Sequence, residues 1–429
     1  MTLTVPPELT GCGCPEGAAL ASGGLVASRR GVLRGAALAG AATVVGSTVV
    51  TMGRAAAAGT TPAAKSVLVV VSLRGAADGL SLVVPHGDPA YYAARPRIAV
   101  PKQSLVAPDG FFGMHPAMAP LLPLWESGRL AAVHATGLPV ANRSHFSAME
   151  ELEDADPTSS ARVGWLNRMI GTDDVTGSLQ AIAVGDTLPT SVLGPEVVMS
   201  FRSVDDAVLA GADKWDPTGT RVRALQEAWS DAPGEMAVGV RTALGAVVDL
   251  GAAQQQPDRS ATYPATDLGE GLASVARTLR ADIGVSTVTV DSGNWDMHTG
   301  LGSATSGWMV RNAGDLAGSI AAFFADLGPV ADKVTLVTVS EFGRRVQENA
   351  NQGLDHGWGN VMLVAGAGVK GGAYYGRWPG LQNTLDADVA VTTDYRSVLA
   401  EIVAARTEAS VSTVFPGFQR ERVGVMAGQ

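Results

Sequence analysis

The chain has 429 residues, 46% of them hydrophobic, and a formal net charge of −10 at pH 7. A chain of that size and apolar content buries a sizeable core, and its acidic balance argues against nucleic acid or anionic membranes as partners. Its only cysteines, Cys12 and Cys14, lie near the start.

In chain order, the first element is an export signal. Ser28-Arg29-Arg30-Gly31-Val32-Leu33-Arg34 reads serine, paired arginines, an apolar residue, leucine and a base. A weakly apolar run from Gly35 to Met52 follows, then Ala55 to Ala58, small residues that a signal peptidase accepts. The expectation is a twin-arginine signal over residues 1–57, cleaved near Ala57, which engages the twin-arginine translocation machinery and delivers a folded protein to the cell envelope or beyond. A Gly/Ala-rich run of 18 residues fits a removable signal better than an anchor. No later stretch is apolar for that length, so no membrane span is expected in the mature chain. Cleavage removes four arginines and two glutamates, taking the charge from −10 to −12. It also removes both cysteines, which excludes disulfides, thiol nucleophiles and Cys-ligated metals from the mature protein.

Residues 58–429 are expected to form a single α/β domain. Lys65 to Leu73 is a continuous β-branched apolar run, and Leu130 to His134, Thr287 to Asp291 and Val334 to Val339 look similar. Apolar runs without polar alternation predict strands covered on both faces, as in a parallel sheet. Helical stretches separate them: Met118 to Ser127, His145 to Asp154, Trp308 to Leu327 and Tyr395 to Ala405. The alternation predicts a doubly wound, mostly parallel sheet with helices on both faces. Residues 203–280 interrupt it and read as a helical insertion.

Ligands of open parallel sheets bind beyond the carboxyl ends of the strands. The residues just after the predicted strands are Arg74 and Asp78; Asn142 to His145; Asp291 with Asn294 to His298; and Ser340 to Arg344, with Asp355 and His356 further on. Two imidazoles and a carboxylate drawn from the Asp296/His298 and Asp355/His356 loops suit a divalent ion such as Zn, Mn or Fe, with Asp355 behind His356 to fix its tautomer. Ser144 reads either as a helix cap or as a nucleophile at a helix N-terminus, with Arg143 beside it. Ser147-Ala-Met-Glu150 forms a capping box that would start the helix one turn later. His86, His115 and His134 read as turn, helix-start and core residues.

These segments also carry a resemblance. Leu73-Arg-Gly-Ala-Ala-Asp-Gly-Leu80, Tyr91, Arg95-Pro96, Asn142 to Met149, Gly164-Trp-Leu-Asn167, Asn294-Trp-Asp-Met-His298, Ser340-Glu-Phe-Gly-Arg344, Asp355-His-Gly-Trp358 and Thr393-Asp-Tyr-Arg396 resemble a bacterial family known as domain of unknown function 1501. Its members look like distant relatives of the alkaline phosphatase and sulfatase superfamily. The resemblance implies an alkaline phosphatase-like fold and metal ligation by Asp78, Asp296, His298 and His356. It gives Ser144 the nucleophile role. Where the superfamily has Asp-His-Gly, this chain has Ser340-Glu341-Phe342-Gly343, which removes an imidazole and leaves Glu341 as the replacement ligand. Arg143, Arg344 or Arg74 would hold the anion. The expected activity is metal-dependent hydrolysis of a phosphate or sulfate ester, the substrate being a small anionic ester or an extracellular polymer. The alternative is an exported binding or assembly protein that retains the fold without turnover.

Overall fold

The computed structural model describes residues 42–45, 48–51, 63–156, 162–172, 179–185, 187–207, 218–233 and 235–427. The twin-arginine motif and the cleavage position near Ala57 lie outside the described residues.

The frame is an 11-stranded sheet. Its strands are β1 (Ala42–Val45), β2 (Thr48–Thr51), β3 (Val67–Leu73), β6 (Leu130–Gly137), β7 (Ala181–Val184), β8 (Met199–Phe201), β9 (Thr287–Ser292), β10 (Val334–Val339), β11 (Asn360–Gly366), β12 (Ala373–Tyr375) and β13 (Thr393–Asp394). A separate ribbon pairs β4 (Val83–Val84) with β5 (Gly113–Met114). The order is β1-β2-β8-β7-β9-β3-β10-β11-β6-β12, with β13 also beside β6. From β8 to β10 the strands are parallel, and β11 runs against both of its neighbours. The segment read as the apolar part of the signal contributes β1 and β2 at one end of the sheet.

The β-branched runs form the centre because every side chain there finds apolar cover. All seven residues of β3 are buried. Its Val67, Val69, Val71 and Leu73 face a layer containing Met309, Leu316, Ile320 and Phe323 of the helix Trp308–Leu327. Leu68 and Val70 face the opposite layer, where Ala148, Met149 and Leu152 of the helix His145–Asp154 pack with Val398, Leu399 and Ile402 of the helix Tyr395–Arg406. Full burial of each such side chain contributes roughly 1.5–3 kcal/mol.

Some elements differ from the sequence reading. Met118 to Ser127 is not one helix but a 3₁₀ segment, Pro116–Leu121, followed by a short helix, Leu122–Glu126. Pro120 and Pro123 each lack the donor that a continuous helix needs. β7 and β8 were not expected; at four and three residues they are too short to give a pattern. Residues 203–280 hold the helices Thr220–Ser230, Glu235–Gln254 and Asp267–Arg280.

Asp78 is not a metal ligand here. Its carboxylate is clamped by Arg95, with Nη1 to Oδ2 at 2.6 Å and Nη2 to Oδ1 at 3.0 Å, both side chains being almost fully buried. The same guanidinium donates to the carbonyls of Arg345 and Val346, so the pair ties the loop after β3 to the loop after β10. A buried pair is costly to break from one side, because the remaining charge loses its partner without regaining water. Asp78→Asn is therefore expected to lower unfolding free energy by about 3–5 kcal/mol in urea denaturation while leaving metal uptake per chain unchanged. Wild-type stability, or loss of metal from a folded variant, would contradict this placement.

Candidate metal centre

Strand register decides which loops meet. β3 lies between β9 and β10 in parallel register, Leu73 opposite Ser292 and Ser72 opposite Val339, so the loops after these three strands emerge side by side. β11 is antiparallel, so its first residue, Asn360, lies at the same edge and pairs with Thr136 near the end of β6. That reversal brings the segment before β11, with His356, to the segment after β6, with His145.

His145, Asp296 and His356 converge there. His145 Nε2 is 3.0 Å from His356 Nε2, and Asp296 Oδ1 is 3.6 Å from the first nitrogen and 3.5 Å from the second. The far side of each ring is fixed. His356 Nδ1 donates to the Arg143 carbonyl at 2.9 Å, and His145 Nδ1 donates to Glu341 Oε1 at 2.8 Å. A carbonyl and a carboxylate only accept, so in the neutral rings both Nε2 lone pairs point into the centre.

This arrangement fits a metal ion. An ion with N and O ligands at about 2.0–2.1 Å in tetrahedral geometry separates its donors by about 3.3–3.4 Å, and the three separations bracket that value. Two imidazoles whose other nitrogens are held by acceptors, with one carboxylate, form a donor set for Zn, Mn or Fe. His298 touches the same carboxylate, Nδ1 lying 2.9 Å from Asp296 Oδ1, yet out of line for a hydrogen bond, so this buried nitrogen has no aligned partner.

The other expected site residues hold the centre rather than form it. Glu341 stands behind His145, its Oε1 also accepting from the Gly75 amide at 2.8 Å and its Oε2 facing the Ser340 hydroxyl at 3.3 Å. Arg344 is 1% exposed and donates to the carbonyls of Gly75, Ala76, Trp295 and Leu354 as well as to Asp296 Oδ1 at 2.6 Å. All three of its nitrogens are engaged within the protein, and burial keeps the side chain from solvent. Arg143 pairs with Asp388, and its contribution to the centre is its backbone carbonyl. Arg74 lies between Glu153 at 2.7 Å and Asp291 at 3.0 Å.

Ser144 precedes the helix His145–Asp154 at the N-cap, where its hydroxyl makes no capping bond and its amide donates to Asn142 Oδ1. The capping box at Ser147 does not set the helix start, and His145, not Ser144, reaches the convergence point. Asp355 does not orient His356; its carboxylate accepts from the Asn349 amide instead. Phe342 packs its ring 4.9 Å from His145 and 5.0 Å from His356, an apolar floor under both imidazoles.

Backbone freedom at Gly75 permits the approach of these loops. It has φ of 106°, and a Cβ there would lie 2.6 Å from the Asp296 amide nitrogen.

The three-imidazole environment sets the charges. Burial opposes the charged forms of both Asp296 and His145. The imidazoles of His145, His298 and His356 around it, with the nearby Arg344 charge, nevertheless hold Asp296 far below the usual carboxylate range. Hydrogen bonds to Asp296 and Glu341 push His145 up to about 9. His145 in turn holds Glu341 down against its own burial. His134, buried and stacked on Phe112, is pushed down to about 3 by burial alone.

A family model described as "Protein of unknown function (DUF1501)" matches residues 111–407. The matched span contains His145, Asp296, His298, Glu341, Arg344 and His356, and leaves out β3 and Arg95. No curated protein matches the chain.

Without metal, folded His145 keeps its proton to about pH 9, whereas the unfolded imidazole loses it near 6.5. Stability from this proton is complete below the unfolded value and is lost as pH rises through the folded one. Denaturation of chelator-stripped protein between about pH 6 and 10 is expected to show wild-type stability falling more steeply than that of His145→Gln. Parallel curves would remove the proton from this pair.

Proposed function

The chain belongs to the DUF1501 family of proteins of unknown function, and from its site we propose that it is a metal-dependent hydrolase of phosphate or sulfate esters. We propose further that it is exported by the twin-arginine pathway and that its sheet is alkaline phosphatase-like. The observation that carries the hydrolase reading is the convergence of His145 Nε2, His356 Nε2 and Asp296 Oδ1 at the carboxyl edge of a largely parallel sheet. Export rests on Ser28 to Arg34 and the small-residue run after it.

His145, His356 and Asp296 would hold a divalent ion, which when bound supplies Lewis acidity to the ester oxygens and lowers the pKa of a water. Glu341 keeps His145 in the Nδ1–H tautomer and makes it a more basic donor. Arg344 holds the Asp296 carboxylate against the loops that carry it. Phe342 keeps water from the inner faces of the two rings. The nucleophile role that the family resemblance implies would fall to Ser144, next to His145 in sequence.

A second reading, a binding protein that keeps the ion without turnover, is favoured by one observation. Arg74, Arg143 and Arg344 are all committed to carboxylates, which leaves anion recognition to the ion.

Metal analysis of the purified protein is expected to find about one ion per chain, absent from His145→Ala and His356→Ala. Glu341→Gln is expected to bind about 10–100-fold more weakly. A folded wild type that takes up no Zn, Mn or Fe ends the hydrolase reading. A metal-loaded protein that turns over no phosphate or sulfate ester leaves the binding one.

A further inference from the structure

The segment 138–144, between β6 and the helix His145–Asp154, serves both imidazoles of the metal centre. The Arg143 carbonyl accepts from His356 Nδ1 at 2.9 Å, and His145 is the first residue of the helix. The course of this segment therefore sets where each Nε2 points, and the two nitrogens stand 3.0 Å apart.

Ser144, at the N-cap, does not fix that course, because its hydroxyl makes no capping bond. Asn142 does. Its Oδ1 accepts from the Ser144 amide at 3.1 Å, and its Nδ2 donates to Ser147 Oγ at 3.0 Å and to Glu151 Oε1 at 2.9 Å. A carboxylate only accepts and a backbone amide only donates, so a single orientation of the Asn142 side chain satisfies both Glu151 and Ser144. One half-buried side chain thus joins the residue before Arg143 to the first two turns of the helix, across His145. The rest of the segment is held from elsewhere, Arg143 by Asp388 and the Leu138 carbonyl by Trp358 Nε1 at 2.8 Å. Neither bond reaches the helix.

Resting on the reading of His145, His356 and Asp296 as a metal centre, we infer that Asn142 is a positioning residue for the ion. It makes no bond to the three ligand side chains and acts through the backbone between two of them. By fixing the helix against the carbonyl that holds His356, it sets the fit of the two imidazoles to one ion. An ordinary cap stabilises its helix and leaves ligand geometry alone.

The test titrates Co(II) into the metal-stripped full chain and follows its visible absorption, whose intensity and position report the ligand geometry. Asn142→Ala is expected to bind about tenfold more weakly and to shift the spectrum of the bound ion. Asn142→Asp keeps an acceptor for the Ser144 amide but sets a second carboxylate against Glu151, so it is expected to bind at least as poorly. Adding Glu151→Gln to Asn142→Asp returns a donor to that pair and is expected to restore both affinity and spectrum. If Asn142→Ala fails to fold, the Asp variant and its rescue carry the test. Wild-type affinity and spectrum in Asn142→Asp overturn the inference and leave the metal centre standing. So does a folded double variant that binds no better than Asn142→Asp alone. A folded wild type that binds no Co(II) overturns the metal centre together with this inference.

Discussion

The site depends on one buried guanidinium. Arg344 reaches from the loop after β10 to carbonyls at Gly75, Ala76, Trp295 and Leu354 and to the carboxylate of Asp296. Three segments, around Gly75, Trp295 and Leu354, the first two distant in sequence, are thereby fastened to a single planar group. Arginine suits this position because its donors form a rigid fork and its charge persists when water is excluded. Lysine would present one point charge to the same ring of acceptors and leave several carbonyls unsatisfied.

The second constraint is topological. Had β11 continued the parallel run, the segment carrying His356 would have entered the sheet at the opposite edge, far from Asp296. Its reversal lets a chain that leaves the sheet after β10 re-enter from the same side, so residues 340–359 stay at the functional edge throughout. The same reversal puts β6 and β11 side by side, which aligns the helix starting at His145 with the imidazole it faces. Apolar burial builds the sheet, but strand direction selects the residues that meet.

Much of the frame was legible in the sequence because it rests on local signals. The strands starting at Val67, Leu130, Thr287 and Val334 announce themselves by uninterrupted β-branched runs, and the helix His145–Asp154 occupies the span its sequence predicts. β7 and β8 went unseen because strands so short, and in β7 half alanine, carry no periodicity. At the site, sequence position located the correct loops but could not assign work within them. Asp78 sits after a strand like a ligand, yet the charge it meets is Arg95, and only the fold shows that. Glu341 and Asp355 are both acidic residues near the centre. The first backs a ligand and the second caps an asparagine, a difference set by a few ångströms. His145 was passed over for its neighbour Ser144, although an imidazole at the first turn of a helix facing three other strand-end loops was available as a signal.

The mature chain expected from the sequence contains no cysteine. Exported proteins commonly stiffen themselves with disulfides, which shrink the unfolded ensemble by tying distant residues together. His145 and His356 stand 211 residues apart in sequence and 3.0 Å apart in space. An ion shared by them and Asp296 would act as a reversible cross-link closing a loop of that length, and its affinity would count directly as folding stability. Such a link needs no oxidant to form and is undone by a chelator rather than by a reductant.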